Sequence, residues 1–255
     1  MRNALEREVK PALTVNDVGS SSHTIAPLYI SGEYLKRNPH WHVGESPWKA
    51  KHILRMLRKN SLSPEFICDV GCGAGEVLKQ LQDQLGGSCR FVGYDISSDA
   101  LELSQTRANE TLEFKLADIL LEDSPRFDLL LLLDVLEHLE DYFTLLRGIK
   151  DRAEYKIFHI PLDLSVQTVL RRSGLTKVRD SYGHLHYFNK EIALRLLSEL
   201  DYHVIDYYYT ARAIEQPTRE LIRNLLKLPR KLLFAIHQDL AASILGGWSL
   251  LVLAK

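Results

Sequence analysis

The sequence lacks the features that mark several classes of protein, beginning with cysteine. Only three cysteines occur among 255 residues, at Cys68, Cys72 and Cys89, and none forms a CxxC pair. An odd number at these spacings fits neither a zinc cluster nor a disulfide framework, so we expect a reducing, cytoplasmic setting. The N-terminal segment MRNALEREVK carries charges of both signs and no apolar core, which is unlike a signal peptide.

An excess of one charge and a long apolar run are missing as well. Lys and Arg total 32 against 33 for Asp and Glu, so the net charge of −1 indicates no nucleic-acid partner. The longest apolar stretch, residues 241–254, is interrupted by Ser and Gly. It is shorter than the roughly 20 residues that a membrane-spanning helix needs. With 45% hydrophobic and 25% charged residues, the chain has the composition of an ordinary globular protein.

What is present is an alternation of two kinds of segment. From residue 64 to 160 short apolar runs alternate with amphipathic stretches, which is typical of βαβ units and a parallel sheet. The predicted strands are residues 65–70, 89–96, 112–118, 128–134, 155–160, 203–210 and 246–254. The sequence therefore predicts an α/β fold with a Rossmann-like, doubly wound and mostly parallel sheet of seven strands.

Other segments are expected to surround this sheet. Residues 1–25 are polar and without pattern, which predicts a flexible N-terminal tail, and residues 26–60 predict an N-terminal helical cap. The main domain then covers residues 61–255. It includes a long connection at 161–187, which we interpret as lid-like, and a helical insertion at 216–240.

A glycine-rich loop is the most informative motif. The segment DVGCGAGE at 69–76 lies where the first predicted strand turns into a helix, so its backbone can approach a ligand closely. A tight strand-to-helix connection is the alternative interpretation. Glu76 stands where the dinucleotide fingerprint GxGxxG has its third glycine, and a negative charge there disfavours a pyrophosphate.

Acidic residues end the next two predicted strands. Asp95 ends the second strand and is suited to accept both hydroxyls of a ribose, with a helix cap as its alternative role. Asp118 ends the third strand and is suited to accept from an adenine amino group, with a turn residue as its alternative. Because the carboxyl ends of parallel strands share one edge, we expect these residues to meet in one site.

The ordered set DVGCGAG, VGYDIS, AD, FDLLLLLDVLEHLED and GHLHYFNKEIALRLLSEL resembles the class I S-adenosylmethionine-dependent methyltransferases. The strongest similarity is to the small-molecule type that includes the enzymes of ubiquinone and menaquinone biosynthesis. The resemblance covers roughly residues 46–210, and residues 246–254 are similar to that family's last, antiparallel strand. It implies methyl transfer from S-adenosylmethionine, with S-adenosylhomocysteine as the product.

The candidate cofactor contacts lie at strand ends and in the cap. They are Trp48, Asp69, Gly71, Cys72, Gly73, Asp95, Ile96, Asp118, Ile119, Leu133 and Asp134. The resemblance implies that the glycine loop with Asp69 surrounds the methionine half, and that Asp95 binds the ribose. It also implies that Asp118 lies at the adenine edge and Asp134 beside the sulfonium.

Histidines are the candidate bases. In-line displacement from a sulfonium needs positioning and no nucleophilic side chain, but an acceptor hydroxyl or carbon acid needs a group that takes its proton. His138 follows the fourth strand and is our candidate base, with a structural hydrogen bond at a helix start as its alternative role. His184 and His186 alternate along an extended segment, so we expect both on the substrate side. With no further Cys or His nearby, we predict no metal site.

An aromatic cluster in the cap and two basic stretches bear on the acceptor. The cluster is Tyr29, Tyr34, His40, Trp41, His42 and Trp48, and it either closes over the site or staples the cap to the core. The basic stretches at 171–179 and 219–231 favour an anionic or lipid-linked small molecule and peripheral membrane contact. Their alternative is a solvated helix face.

Two other functions compete with methyl transfer. A protein of this fold that binds the cofactor without turnover, as an interaction or regulatory module, has the same motifs. A dinucleotide oxidoreductase is disfavoured because Glu76 replaces the third glycine and no catalytic Tyr/Lys pair is evident. We expect O-methylation of the acceptor, and the sequence does not indicate the oligomeric state.

Overall fold

A computed structural model describes most of the chain. It describes residues 43–216 and 227–255, together with residues 32, 35, 36, 38, 39 and 41. The predicted tail at 1–25 lies outside the described residues, as do Tyr29, Tyr34, His40 and His42. Part of the predicted helical insertion, residues 217–226, lies outside them as well.

The strands form one twisted sheet. They are β1 (Phe66–Val70), β2 (Arg90–Asp95), β3 (Leu112–Leu116), β4 (Phe127–Leu133), β5 (Ala153–Pro161), β6 (Val204–Thr210) and β7 (Ser249–Ala254). Their order is β3-β2-β1-β4-β5-β7-β6, and β7 is antiparallel to both of its neighbours while β1 to β5 pair in parallel. The predicted seven-stranded, mostly parallel sheet with an antiparallel last strand is confirmed.

Helices connect the strands and cover both faces of the sheet. They are α1 (Ser46–Lys59), α2 (Glu76–Leu85), α3 (Ser98–Gln105), α4 (Tyr142–Ile149), α5 (Val166–Leu170), α6 (Gly174–Tyr182), α7 (Lys190–Glu199), α8 (Arg212–Glu215), α9 (Leu228–Ile236) and α10 (Gln238–Leu245). Short 3-10 turns lie at Val43–Glu45, Ile119–Leu121, Leu136–His138 and Lys150–Arg152. Each helix in the described part of the chain is too short or too polar to cross a bilayer.

Side chains placed by the sequence fix where several helices begin. Ser97 accepts a hydrogen bond from the amide of Ala100 at the start of α3, and Asn189 accepts from Ile192 at the start of α7. Such caps satisfy amide groups that have no partner within the helix. Ser97 is therefore the N-cap of α3.

The strand β4 is apolar apart from Asp128 because both of its faces are covered. Leu129 and Leu131 belong to the core cluster that includes α1 and α2, whereas Leu130 and Leu132 belong to the cluster that includes α4 and α7. Successive side chains of a strand point to opposite faces, so this run serves two cores at once. Within the segment predicted as an N-terminal cap, α1 packs its apolar stripe on α2.

The connection at 161–187 contains α5, capped by Ser165, and α6, which ends at Gly183 in a left-handed conformation.

In the C-terminal insertion Pro229 stands in the first turn of α9, where a proline is well tolerated because its missing N–H needs no partner.

Candidate cofactor and acceptor site

A cavity opens at the carboxyl edge of the sheet, where the strand order reverses between β1 and β4. Parallel sheets bind ligands at such a switch point because the loops leave in opposite directions. The cavity has a volume of about 490 Å³, within the range of about 300–1,000 Å³ usual for small-molecule sites. All eleven candidate cofactor residues line it. Their roles remain predictions, but the fold brings them together.

The glycine loop forms one wall, and the neighbouring strand fixes its path. The amides of Gly71 and Cys72 donate to the carbonyl of Tyr94 in β2, at 2.8 and 3.1 Å. Gly71, Gly73 and Gly75 have φ values of 73°, 54° and 75°, which side chains disfavour. A Cβ atom on Gly71 would lie 2.7 Å from Val135, so this glycine also permits close packing.

Asp95 is held in place by amides on two sides. Its Oδ2 accepts from the amide of Gly73 at 2.8 Å, and its Oδ1 accepts from the amide of Ser97 at 2.9 Å. Burial raises the pKa of this carboxyl above its ordinary value, although the amide hydrogen bonds oppose the shift. The alternative role for Asp95 was a helix cap, but the N-cap of α3 is Ser97. Asp95 itself lines the cavity.

Asp69, at the end of β1, is buried with an acceptor that has no partner. Its Oδ1 atom makes no hydrogen bond within the described part of the chain. Burial raises the pKa of Asp69 to about 8, with a further contribution from Asp95, while the charge of Lys49 lowers it. A buried acceptor without a donor is costly, so this oxygen is suited to receive an N–H group from a ligand.

The turn role proposed for Asp118 is also observed. Its Oδ1 accepts from the amide of Leu120 at 2.9 Å and caps the turn at Ile119–Leu121. Asp118 and Ile119 both line the cavity, so capping and ligand contact are compatible at this strand end.

Asp134 carries two partners that sequence reasoning missed. Its Oδ2 accepts from Lys49 Nζ at 2.6 Å, and its Oδ1 pairs with His159 Nδ1 at 2.5 Å. Burial acts to raise the pKa of Asp134, but the His159 and Lys49 interactions outweigh it and hold the pKa well below the ordinary range. The other ring nitrogen of His159 lies 2.9 Å from Thr210 Oγ1. This carboxylate is thus already ion-paired beside the cavity.

Two tryptophans of the cap reach the cavity. Trp48 donates its indole N–H to Glu215 Oε2 at 2.8 Å, and its ring meets His159 edge-on. Trp41 lies against the glycine loop, since a Cβ atom on Gly73 would come within 2.6 Å of its ring. The cap therefore both packs on the core and lines the site, which combines the two interpretations of the aromatic cluster.

The charge of Glu76 is balanced. Its Oε2 accepts from Arg107 Nε at 2.5 Å, so its carboxylate is neutralised by a neighbour on the chain. Repulsion of a pyrophosphate by this residue is therefore weaker than the sequence argument assumed.

His138 and His184 lie side by side in the wall of the cavity. Their rings meet edge-on with centroids 4.8 Å apart. His138 Nδ1 lies 3.3 Å from the carbonyl of Gly183, and His184 Nδ1 lies 2.6 Å from Asp163 Oδ2. Burial lowers the pKa of His138 to about 4, and His184 contributes to the shift. His138 is therefore neutral at pH 7.

His186 does not accompany His184, which corrects the expectation that both face the substrate. Its ring packs edge-on against Tyr142 of α4, and it is not among the cavity residues. The physical reason is a local break in the extended backbone. The amides of Leu185 and His186 both donate to the carbonyl of Glu137, so successive side chains no longer follow a strand.

Sequence reasoning missed Lys49, Glu137 and Asp163. Lys49 sits in an amphipathic helix, where a lysine usually faces solvent. Glu137 follows β4 in a polar turn, and Asp163 follows Pro161 in a segment without periodicity. One usable signal was the spacing of Asp134, Glu137 and His138 directly after an apolar strand, which places three polar groups at one sheet edge.

Comparison with known proteins agrees with this geometry. Residues 68–154, which run from within β1 through β4 to the start of β5 and include the glycine loop, match a family model described as a methyltransferase domain. The fold is that of the class I methyltransferases. No curated protein sequence matches the chain at a significant level.

Solved structures with this methyltransferase fold superpose over most of the chain. Magnesium protoporphyrin IX methyltransferase from Synechocystis PCC 6803, solved with bound S-adenosylhomocysteine, is 16% identical with a TM-score of 0.57, over 89% of this chain and 94% of that one. Coclaurine N-methyltransferase, bound to N-methylheliamine and S-adenosylhomocysteine, is 17% identical with a TM-score of 0.54, over 81% and 72%. The plantazolicin methyltransferase is 17% identical with a TM-score of 0.53, over 88% of each chain.

Proposed function

We propose that this protein is an S-adenosylmethionine-dependent methyltransferase that acts on a small-molecule or lipid-linked acceptor. The observation that carries the proposal is the joint arrangement of the glycine loop, Asp69 and Asp95 around one cavity at the sheet's switch point. The cofactor, when bound, supplies a methyl group on a sulfonium, which is electrophilic. The family model and the folds of solved methyltransferases support the same conclusion.

Each residue of this wall has a function that its geometry supports. Asp69 offers its unpartnered Oδ1 to the ammonium of the methionine half. Asp95, held by the amides of Gly73 and Ser97, accepts from the ribose hydroxyls. Both interactions are charge-assisted, which makes them stronger than bonds between neutral groups. The loop amides that remain suit the cofactor carboxylate.

Positioning rather than covalent chemistry is what the site provides for the reaction. The acceptor must approach the methyl carbon opposite the sulfur, and the walls of the cavity would hold it there. The methyl–sulfur bond breaks as the new bond forms, and its electron pair stays on sulfur. An acceptor hydroxyl also loses its proton, and we propose O-methylation because His138, a candidate to take that proton, is neutral at pH 7 and lines the cavity.

Calorimetric titration with S-adenosylhomocysteine tests the cofactor, with NADH as the control ligand. We expect binding of the first and none of the second. Transfer of a labelled methyl group to candidate acceptors then separates an enzyme from a binding module without turnover. Binding of NADH alone would refute the proposal.

We further propose that the acceptor reaches the site from an anionic membrane surface, as a lipid-linked substrate of the ubiquinone or menaquinone type would require. The adjacent helices α5, α9 and α10 expose large apolar side chains: Val166, Val169, Leu170, Leu228, Leu232, Ile236, Leu240 and Ile244. Exposed basic residues stand beside them at Arg171, Arg172 and Lys231. Apolar insertion with flanking cations is the pattern of peripheral membrane binding.

Co-sedimentation with phosphatidylglycerol and with phosphatidylcholine vesicles tests this contact. We expect binding to the anionic vesicles at low salt, and its loss in Leu170→Ser/Leu232→Ser. The control is Leu121→Ser, because Leu121 is 64% exposed but lies outside the three helices. If the double variant binds the anionic vesicles as well as the control variant does, the membrane proposal is refuted. The methyltransferase proposal would remain intact.

A cytoplasmic location is part of the proposal. All three cysteines are free thiols, and Cys68 and Cys89 are buried. Such thiols are stable in a reducing compartment.

A further inference from the structure

One cluster in the cavity has a chemistry that cofactor binding does not use. A ligand atom from each of Glu137, His138 and His184 lies within 4.8 Å of the other two. His138 Nε2 lies 3.7 Å from Glu137 Oε1. All three residues line the cavity, next to the end of β4. Two imidazoles and one carboxylate therefore converge on a common point.

The hydrogen bonds of the two histidines orient them toward that point. A backbone carbonyl only accepts, so the contact with Gly183 places the proton of His138 on Nδ1. The short contact with Asp163 does the same for His184. In the neutral rings Nε2 is then the lone-pair nitrogen. A carboxylate or carbonyl that fixes the far nitrogen is the usual support of a metal-binding histidine.

Glu137 gives the independent sign of a missing ligand. The residue is 0% exposed. Within the described part of the chain neither of its carboxylate oxygens has a hydrogen-bond partner. A buried carboxylate normally has a cation or several donors, because its desolvation otherwise costs several kcal/mol. Both oxygens are thus available to a cation placed among the three side chains.

The surrounding charge favours a cation as well. Asp163 stands behind His184, and Asp134 lies near enough to act electrostatically on Glu137. Lys49 is the described cation that acts on Glu137, and it is already paired with Asp134. Asp134 and Asp163 therefore carry more charge than Lys49 offsets, and one divalent ion would balance that excess.

We infer that Glu137, His138 and His184 bind a divalent transition-metal ion such as Zn²⁺, Mn²⁺ or Fe²⁺. Two imidazoles with one carboxylate suit these ions better than Ca²⁺ or Mg²⁺, which prefer oxygen ligands. Three protein ligands leave coordination positions open, as in catalytic metal sites. This inference differs from the sequence-based expectation of no metal, which did not foresee that residues of the segment after β4 lie beside His184, far along the chain.

The use of the ion rests on the proposed methyltransferase function. An acceptor hydroxyl beside a divalent ion loses its proton more readily, because the cation stabilises the resulting anion. The anionic oxygen then forms the new C–O bond as the C–S bond breaks, and the proton passes to solvent. In this arrangement His138 is a ligand and does not act as the base.

Metal binding is measured directly on the full chain after treatment with a chelator. Titration with CoCl₂ followed by visible absorption, and with ZnCl₂ by calorimetry, is expected to show one equivalent bound. The cobalt spectrum is expected to lack a thiolate charge-transfer band. Such a band would assign the ion to a cysteine and overturn the inference, as would absence of binding of both ions.

Matched variants locate the site. Glu137→Gln and His184→Gln are expected to weaken Zn²⁺ binding about 100-fold or more, and Asp163→Asn about tenfold to 100-fold. The controls are Glu140→Gln, an exposed carboxylate in the same segment, and His186→Gln, which lies off the cavity. Unchanged Zn²⁺ affinity in the first two variants would overturn the inference.

A second titration separates this inference from the proposed function. Glu137→Gln is expected to bind S-adenosylhomocysteine within about twofold of the unaltered protein, which also shows that it is folded. Cofactor binding without metal binding would overturn the metal site alone. Metal binding without cofactor binding would overturn the methyltransferase proposal and retain the site.

Discussion

The two halves of the cavity are built differently. The half proposed for the cofactor, called the cofactor half, consists of the glycine loop at 71–75 with Asp69, Asp95 and Asp118, and the carboxylates of Asp95 and Asp118 accept from backbone amides. The half proposed for the acceptor, called the acceptor half, consists of Glu137, His138, Asp163 and His184, and in it His184 pairs with Asp163 and packs against His138.

This difference shows how the chain separates a fixed function from an adjustable one. Backbone amides at strand ends keep their positions when the surrounding side chains change. The cofactor half is therefore suited to binding one ligand. The acceptor half depends on side chains from the segment after β4 and from the 161–187 connection, which lie far apart in sequence. Loops on a rigid scaffold are where binding specificity usually resides.

The largest effect is expected from Asp95→Ala in the cofactor half. The change removes two charge-assisted hydrogen bonds to a ribose and releases the amide of Gly73. At about 1.5–3 kcal/mol for each charged bond, the affinity for S-adenosylhomocysteine should fall about 100-fold or more. Calorimetry measures it, with Asp83→Ala on the exposed face of α2 as the control. Unchanged affinity would remove Asp95 from the site.

A smaller effect is expected from Lys49→Met, at the border of the two halves. The change leaves Asp134 with His159 as its described ionic partner, and unpaired buried charge destabilises the fold. We expect a loss of about 2–3 kcal/mol in the free energy of unfolding, measured by urea denaturation. Lys51→Met, on the exposed face of the same helix, should change it little. Equal losses in both variants would mean that the pair with Asp134 contributes nothing.

A comparison of two glycines tests whether the cofactor half is rigid. Gly71→Ala and Gly86→Ala both place a side chain at positive φ, but only the first would meet a neighbour, Val135, at 2.7 Å. We expect about 1 kcal/mol of destabilisation for Gly86→Ala, and at least about 1 kcal/mol more for Gly71→Ala. If Val135→Ala in the Gly71→Ala background restores no stability, close packing is not what the loop requires.

The same contrast explains what the sequence could predict. The fold and the cofactor half follow from local patterns: apolar runs of strand length, closely spaced glycines after the first strand and an acidic residue near the end of each of the first four strands. The order of these motifs along the chain also determines the sheet edge at which they meet. For this reason all eleven predicted residues line one cavity.

The acceptor half could not be predicted in the same way. Whether Glu137 is solvated or buried depends on the packing of the 161–187 connection over it, and no local pattern encodes that packing. Alternation predicted a common direction for His184 and His186, but the bonds of two successive amides to one carbonyl of Glu137 break it. Lys49 likewise becomes a site residue only through its distant partner Asp134.

The last expected effect concerns the pH dependence of cofactor binding. Burial raises the pKa of Asp69 to about 8, so at pH 6 most of this carboxyl is protonated before a ligand binds. An ammonium group binds the ionised form, and the ionised fraction rises up to about tenfold per unit below the pKa. The affinity for S-adenosylhomocysteine should therefore increase between pH 6 and pH 8 and level off above it.

Asp69→Asn separates this titration from others in the cavity, because Asp95 also has a raised pKa. The variant should bind more weakly at pH 8 and lose most of the increase between pH 6 and pH 8. His138, whose pKa is about 4, does not titrate in that interval. If the variant retains the full slope, the pH dependence belongs to Asp95. The ammonium would then be bound by backbone carbonyl groups of the loop. In that case the cofactor half would rely on the backbone for this contact as well.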